Sequence, residues 1–164
     1  MIFLFFYDSF KEINGGFMAE LKDTIIICEP PQKIYGWFIN NFAKDYKKWH
    51  QEHISAKWKK GKNFAIGSIL VAEEYLGGDM EKLRFKTTKN IPNRLIEYKV
   101  LFPESIICQG GSFEFEPHQK GSRFTAMLKF RFGSVSAKIM SKKAEAIKKH
   151  MKEEGENLKK ILEN

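Results

Sequence analysis

Polar and apolar residues alternate through the middle of this chain. Between Met80 and Thr88, the side chains of Leu83, Phe85 and Thr87 fall on one side and those of Lys82, Arg84 and Lys86 on the other. That is the period of two expected of a half-buried strand. Phe124, Ala126, Leu128, Phe130 and Phe132 repeat the pattern over 123–132. Further strands are predicted over 24–28, where Thr24-Ile25-Ile26-Ile27-Cys28 is β-branched, and over 54–59, 68–75, 94–101 and 106–116. Turn signals separate them: Gly77-Gly78-Asp79, Ile91-Pro92-Asn93 and the segment 118–121. After the first strand, Pro30-Pro31 opens two short helices, 32–41 and 42–53, with Tyr35, Phe38, Phe42, Tyr46 and Trp49 spaced three and four apart. The period changes once more at 135–162, a long amphipathic helix with Ile147, Met151, Leu158 and Ile161 along its apolar stripe. One strand, two helices, a meander and a closing helix make an α+β domain. Its curved antiparallel sheet of about six to seven strands, wrapped around the last helix, leaves a concave cavity.

The 164 residues suit a single domain, placed at 18–164. Residues 1–17 differ in character from the rest. Gly15-Gly16 just before Met18 fits a purine-rich ribosome-binding sequence read through, so 1–17 is expected to be a non-native leader or a disordered extension. An extra edge strand is the alternative. The balance of 28 basic and 20 acidic residues gives a net charge of +8. Only Arg84, Arg94, Arg123 and Arg131 are arginines, whereas base and phosphate readers favour that residue's bidentate fork. A solvated lysine-rich surface is expected, with no specific nucleic-acid partner. No apolar run approaches the ~20 residues of a membrane span, so no membrane insertion is expected. Cys28 and Cys108 sit in apolar stretches without metal-binding spacing, which points to a reducing cytoplasm.

The chemistry-bearing residues fall into three groups. His150 and Glu154 are four apart on the last helix and lie within its apolar stripe. A carboxylate there costs several kcal/mol unless it is paired or binds a metal; a helix-surface pair is the alternative. Trp49-His50-Gln51-Glu52-His53 places two of the four histidines at the end of the second short helix. Glu81 shares parity with Leu83 and Phe85 and should face the interior, while Glu73 and Glu74 offer similar choices on the preceding strand, Glu73 sharing parity with Ile69 and Val71. Two His and two Glu form an N/O set suited to Zn²⁺ or another divalent ion, and with a water they suit hydrolysis. Proton transfer would fall to His53, Tyr46 or Glu73, His53 first because its ordinary pKa lies near neutrality. Trp37, Trp49, Phe85, Tyr98, Phe113, Phe115, Phe124 and Phe130 would wall a cavity for a hydrophobic or aromatic small molecule.

The element order resembles the START-like (SRPBCC) superfamily, whose helix-grip fold encloses an apolar cavity. Tyr46-Lys47-Lys48-Trp49-His50-Gln51-Glu52-His53-Ile54, Gly67-Ser68, Glu74-Tyr75-Leu76-Gly77-Gly78, Leu101-Phe102-Pro103 and His150–Glu154 look like one branch of it, the diacetylphloroglucinol hydrolase-like zinc enzymes. The resemblance implies hydrolysis of a carbon–carbon or acyl bond in an acylated aromatic or polyketide-like molecule. It also implies a zinc site at His50, Glu81, His150 and Glu154, with His53 replacing His50 if the local register differs. A non-enzymatic carrier of a hydrophobic ligand is the alternative. The characterised enzymes carry an additional N-terminal region for which no counterpart is expected here, so the phloroglucinol substrate itself does not carry over.

Overall fold

The computed structural model describes the backbone of residues 9–13, 16–133 and 137–164, and the side chains of 18–131 and 143–164. In chain order the elements are β1 (Ser9–Ile13), β2 (Gly16–Ile27), α1 (Pro31–Asn40), α2 (Tyr46–Trp49), β3 (His53–Lys60), β4 (Ile69–Leu76), β5 (Asp79–Ile91) and β6 (Leu95–Val100). A 3₁₀ turn (Glu104–Ile106), β7 (Cys108–His118), β8 (Gly121–Gly133) and α3 (Ala137–Glu163) complete the chain. All strands join one antiparallel sheet in the order β1-β2-β8-β7-β6-β5-β4-β3. This is the α+β helix-grip architecture expected from the pattern. The sheet has eight strands because Ser9–Ile13 pairs with Gly16–Glu20 at one edge. The rest of the presumed leader, 1–8 and 14–15, lies outside the described residues.

Proline fixes the start of α1: Pro31 occupies its first turn, where a missing N–H costs nothing. Ile34, Trp37 and Phe38 then bury one face of the helix. The second helix is shorter than expected. It completes one turn at Trp49, and His50 is extended (φ −146°, ψ 145°). His50 and His53 therefore do not share a helical face. His53 instead opens β3, opposite Glu74, and a bulge shifts the register before Ser55 meets Glu73. Bulges of this kind re-aim side chains. Here His53 is fully buried while Ile54 turns outward.

α3 runs across the concave face, over β2, β8 and β4. Gly155 lets it approach closely, since a Cβ there would lie 2.9 Å from Asp23 Oδ2. Ile147, Met151 and Leu158 are buried as the stripe predicts, but the final turn buries Leu162 and leaves Ile161 out. A helix advances 100° per residue, so the stripe drifts and one residue's difference moves the contact. Beneath α1 the core is solid: Phe38 is fully buried among Trp37, Phe42, Trp49, Phe64, Phe113, Phe115 and Phe124, ring centroids 4.6 to 6.4 Å away.

Candidate metal centre

Beneath the middle of α3 the solid core gives way to a cavity of about 200 Å³. Its walls include Phe42, Trp49, Phe64, Phe85, Tyr98, Phe113 and Phe130, together with Leu70, Leu83 and Leu128. Trp37, Phe115 and Phe124, expected in the wall, belong to the aromatic core instead. Polar groups gather at two places. Glu81, Glu104 and Lys143 lie on the lining at one side, and Tyr46, Glu74, His150 and Glu154 at the other.

The second group joins His50 and His53 in a buried cluster. His53 Nε2 lies 3.2 Å from His150 Nε2, 3.0 Å from Glu154 Oε1 and 3.6 Å from Glu74 Oε2. His150 Nε2 is 3.7 Å from the same Glu154 oxygen. The three histidines each offer a ligand atom within 4.8 Å of the others. Local structure aims every member. β3 delivers His53, β4 delivers Glu74 directly opposite it, and one helical turn of α3 delivers His150 and Glu154. Trp49 Nε1–H donates to the Glu154 carbonyl (2.9 Å), which ties α2 to α3 at the site.

Hydrogen bonds at the far side of each ring decide what faces inward. His53 Nδ1 is 2.9 Å from the Tyr46 carbonyl, which can only accept, so the proton sits on Nδ1 and Nε2 is bare in the neutral ring. His150 Nδ1 is 2.9 Å from Glu52 Oε2, and the same logic bares its Nε2. His50 is wired oppositely. Its Nδ1 accepts the Glu52 backbone N–H (3.2 Å), so Nε2–H donates outward to Glu153 Oε2 (3.1 Å). Both His50 nitrogens are thus engaged. The Tyr46 ring stacks on His53 (3.8 Å between centroids, 3° between planes), and its hydroxyl donates to Glu74 Oε2.

Burial sets the electrostatics. Removal from water pushes the Glu154 carboxyl up to about 7, and it also raises Glu74. The same desolvation lowers His53 and His50, and it holds the Tyr46 hydroxyl well above its ordinary range. Two bare imidazole nitrogens and two carboxylates thus converge on a space from which water is largely excluded. Such an arrangement of lone pairs is costly unless a proton or a cation is shared among them.

The donor set fits zinc. With Zn–N and Zn–O bonds near 2.0–2.2 Å, neighbouring ligand atoms in a tetrahedron lie about 3.4 Å apart. The four separations above, 3.0 to 3.7 Å, bracket that value. A divalent ion would also balance the charges of Glu74 and Glu154.

Of the residues singled out from sequence, the fold brings His50, His53, His150, Glu154 and Tyr46 together. Glu81 does face the interior, but Lys143 Nζ holds its Oε1 on the cavity lining, away from the cluster. Glu81 is the cross-strand partner of Glu74, and it is Glu74 that meets His53. Glu73 points the other way and binds Ser55 and Lys82 on the outer face. Parity on β4 follows Leu70, Ala72 and Glu74, which are buried, while Ile69 and Val71 are only half-buried. His53 has no nitrogen left for substrate, since Nδ1 is spent on Tyr46 and Nε2 enters the cluster. Sequence reasoning weighed Glu74 beside Glu73 but assigned no role to it, nor to Glu52 or Glu153. For Glu74 the signal was the alternation running through Ala72.

Neither a protein-family model nor a curated protein sequence matches the chain. Solved structures do. Ara h 8.0201 is similar with a TM-score of 0.68 at 14% identity, over 88% of this chain and 97% of that one. The di-domain ARO/CYC BexL from the BE-7585A biosynthetic pathway gives 0.70 at 15% identity, over 90% of this chain and 50% of that one. This chain therefore spans half the length of that protein. The Zhui aromatase/cyclase from Streptomyces sp. R1128 gives 0.67 at 12% identity, over 89% and 94%. The shared feature is the START-like helix-grip fold.

Proposed function

We propose that this protein is a metal-dependent hydrolase, with zinc as the ion, that removes an acyl group from a small aromatic molecule. The observation that carries the reading is the meeting of His53 Nε2, His150 Nε2 and Glu154 Oε1 at tetrahedral-edge separations beside an apolar cavity. His53, His150 and Glu154 would hold the ion, with Glu74 as the fourth donor or the partner of a water. His50, bonded at both nitrogens, braces His150, its ring centroid 4.0 Å away. Two His and one carboxylate with an open position is a donor set used for catalytic zinc. When bound there, such an ion supplies a Lewis acid for a carbonyl and a hydroxide-like water near neutral pH.

The chain's own residues supply the rest. Phe85, Tyr98, Phe113 and Phe130 offer flat apolar walls to a ring. At about 200 Å³ the cavity falls below the ~300–1,000 Å³ of drug-sized pockets, which suits one ring with a short acyl arm better than a fused polycycle. In the overall reaction a water oxygen joins the acyl carbon, the bond to the ring breaks, and the departing ring carbon takes a proton. Tyr46 Oη, bordering both cavity and cluster, is the donor best placed for that proton. Glu74 Oε2, already its hydrogen-bond partner, can relay one back to it. Proximity and exclusion of water are the protein's part in the rate.

Metal analysis of protein purified without added metal tests the reading. About one equivalent of zinc per chain is expected in the wild type, and less than a tenth of that in His53→Ala or Glu154→Ala proteins that remain folded by circular dichroism. Failure of the wild type to take up zinc, even from micromolar solution, would overturn it. A protein that then still bound small aromatics would be a carrier.

A further inference from the structure

We propose that Glu52 is the positioning residue that sets the tautomer of His150 and so aims that ring's bare nitrogen into the cluster. The inference rests on the reading that the cluster takes a metal. Glu52 lies in the turn between α2 and β3, and its side chain is 40% exposed. It acts on two rings from there. Its backbone N–H fills the lone pair of His50 Nδ1, while its carboxylate Oε2 takes the proton of His150 Nδ1 at 2.9 Å. A neutral imidazole carries one N–H, so the partner at one nitrogen determines the state of the other. Because Glu52 Oε2 accepts at Nδ1, His150 keeps its proton there, and Nε2 faces His53 and Glu154 as a metal-donor atom.

Without that carboxylate the alternative is close at hand. The proton moves to Nε2, 3.2 Å from the bare His53 Nε2 and 3.7 Å from Glu154 Oε1, and the ring turns from acceptor to hydrogen-bond donor within the cluster. One ligand position is then shut while the fold is unchanged. Glu153 gives the contrasting case: it takes the Nε2 proton of His50, a ring whose other nitrogen already accepts the Glu52 backbone N–H. Two surface glutamates of similar exposure, 40% and 36%, thus have unequal roles. A carboxylate behind a ligating histidine commonly contributes 10–100-fold in metal affinity.

The test compares wild type, Glu52→Gln and Glu153→Gln by two measurements. Long-range ¹⁵N–¹H spectra of the metal-free protein report the His150 tautomer, and competition with a chromophoric chelator reports zinc affinity. The wild type should show His150 protonated at Nδ1. Glu52→Gln should gain the Nε2-protonated form and bind zinc 10–100-fold more weakly, while Glu153→Gln stays within twofold of wild type. An unchanged His150 tautomer with zinc affinity within twofold in Glu52→Gln would overturn the proposal. If the wild type takes up no zinc at all, the metal reading fails, and the tautomer comparison alone decides the role of Glu52.

Discussion

The space between sheet and α3 is filled on opposite principles at its two ends. Under α1 it is packed solid with aromatic rings around Phe38, in edge and tilted contacts that stabilise the fold and leave no room. Under the middle of α3 it is hollow, and its floor holds buried imidazoles and carboxylates. Those groups stabilise nothing on their own, because burial works against their charged forms. The lesson is a division of labour: the rigid aromatic end can hold a polar cluster in a geometry that the cluster itself would not maintain.

Substitutions should separate the two ends. Phe38→Ala is expected to cost about 3–5 kcal/mol, the usual range for a fully buried phenylalanine. Thermal unfolding should register that as a Tm lower by roughly 6–20 °C. A Tm within 2 °C of wild type would mean that the aromatic end does not carry the stability. Glu154→Leu should do the reverse. It removes the zinc site yet leaves metal-free protein as stable as wild type or more so. The sign with pH follows from the carboxyl's pKa of about 7, raised by burial from an ordinary 4.5. The folded state binds that proton more tightly than the unfolded state, so wild-type stability from this group is full below about pH 4.5 and is lost as pH rises toward 7. The Tm advantage of Glu154→Leu over metal-free wild type should therefore widen across that interval. A gap that narrows would contradict it.

The two cysteines probe the hollow end more gently. Cys28 is exposed, whereas Cys108 lines the cavity and its thiol is pushed up to about 11 by burial. With iodoacetamide at pH 8, Cys28 should react first and Cys108 roughly 100-fold more slowly, since the thiolate is the nucleophile. The Cys108 rate should keep climbing as pH approaches 11 and fall when an aromatic ligand fills the cavity. Equal rates, read by mass spectrometry, would show that the cavity wall is open. The smallest effect is expected at Glu73→Gln and Glu81→Gln, which should retain a full equivalent of zinc because both carboxylates are held by lysines outside the cluster.

Much of the fold was legible in the sequence because it rests on local periodicity. The alternation in β5 and β8, the Gly77-Gly78 hairpin and the α3 stripe each report a surface half in and half out of water, and the structure has them there. His150 and Glu154 were legible for the same reason, as polar residues inside an apolar stripe. The helical reading of 42–53 failed because Trp49 and Tyr46 satisfy helical spacing for a single turn, after which sheet pairing claims His53. Glu73 was preferred to Glu74 because Ile69 and Val71 outweigh Leu70 and Ala72 in bulk, although the smaller pair faces the core.

The chain alone thus determined the element order, the curved sheet with its closing helix, and the supply of imidazoles and carboxylates on inward faces. Tertiary structure decided which of them meet. It set Glu74 rather than Glu81 opposite His53, shifted the β3 register by a bulge just after His53, and tied both nitrogens of the buried His50 to Glu52 and Glu153. Periodicity reports the side of an element on which a residue lies. Distances of 3 Å between residues a hundred positions apart depend on register, bulges and hydrogen bonds, and these are fixed only when the elements pack.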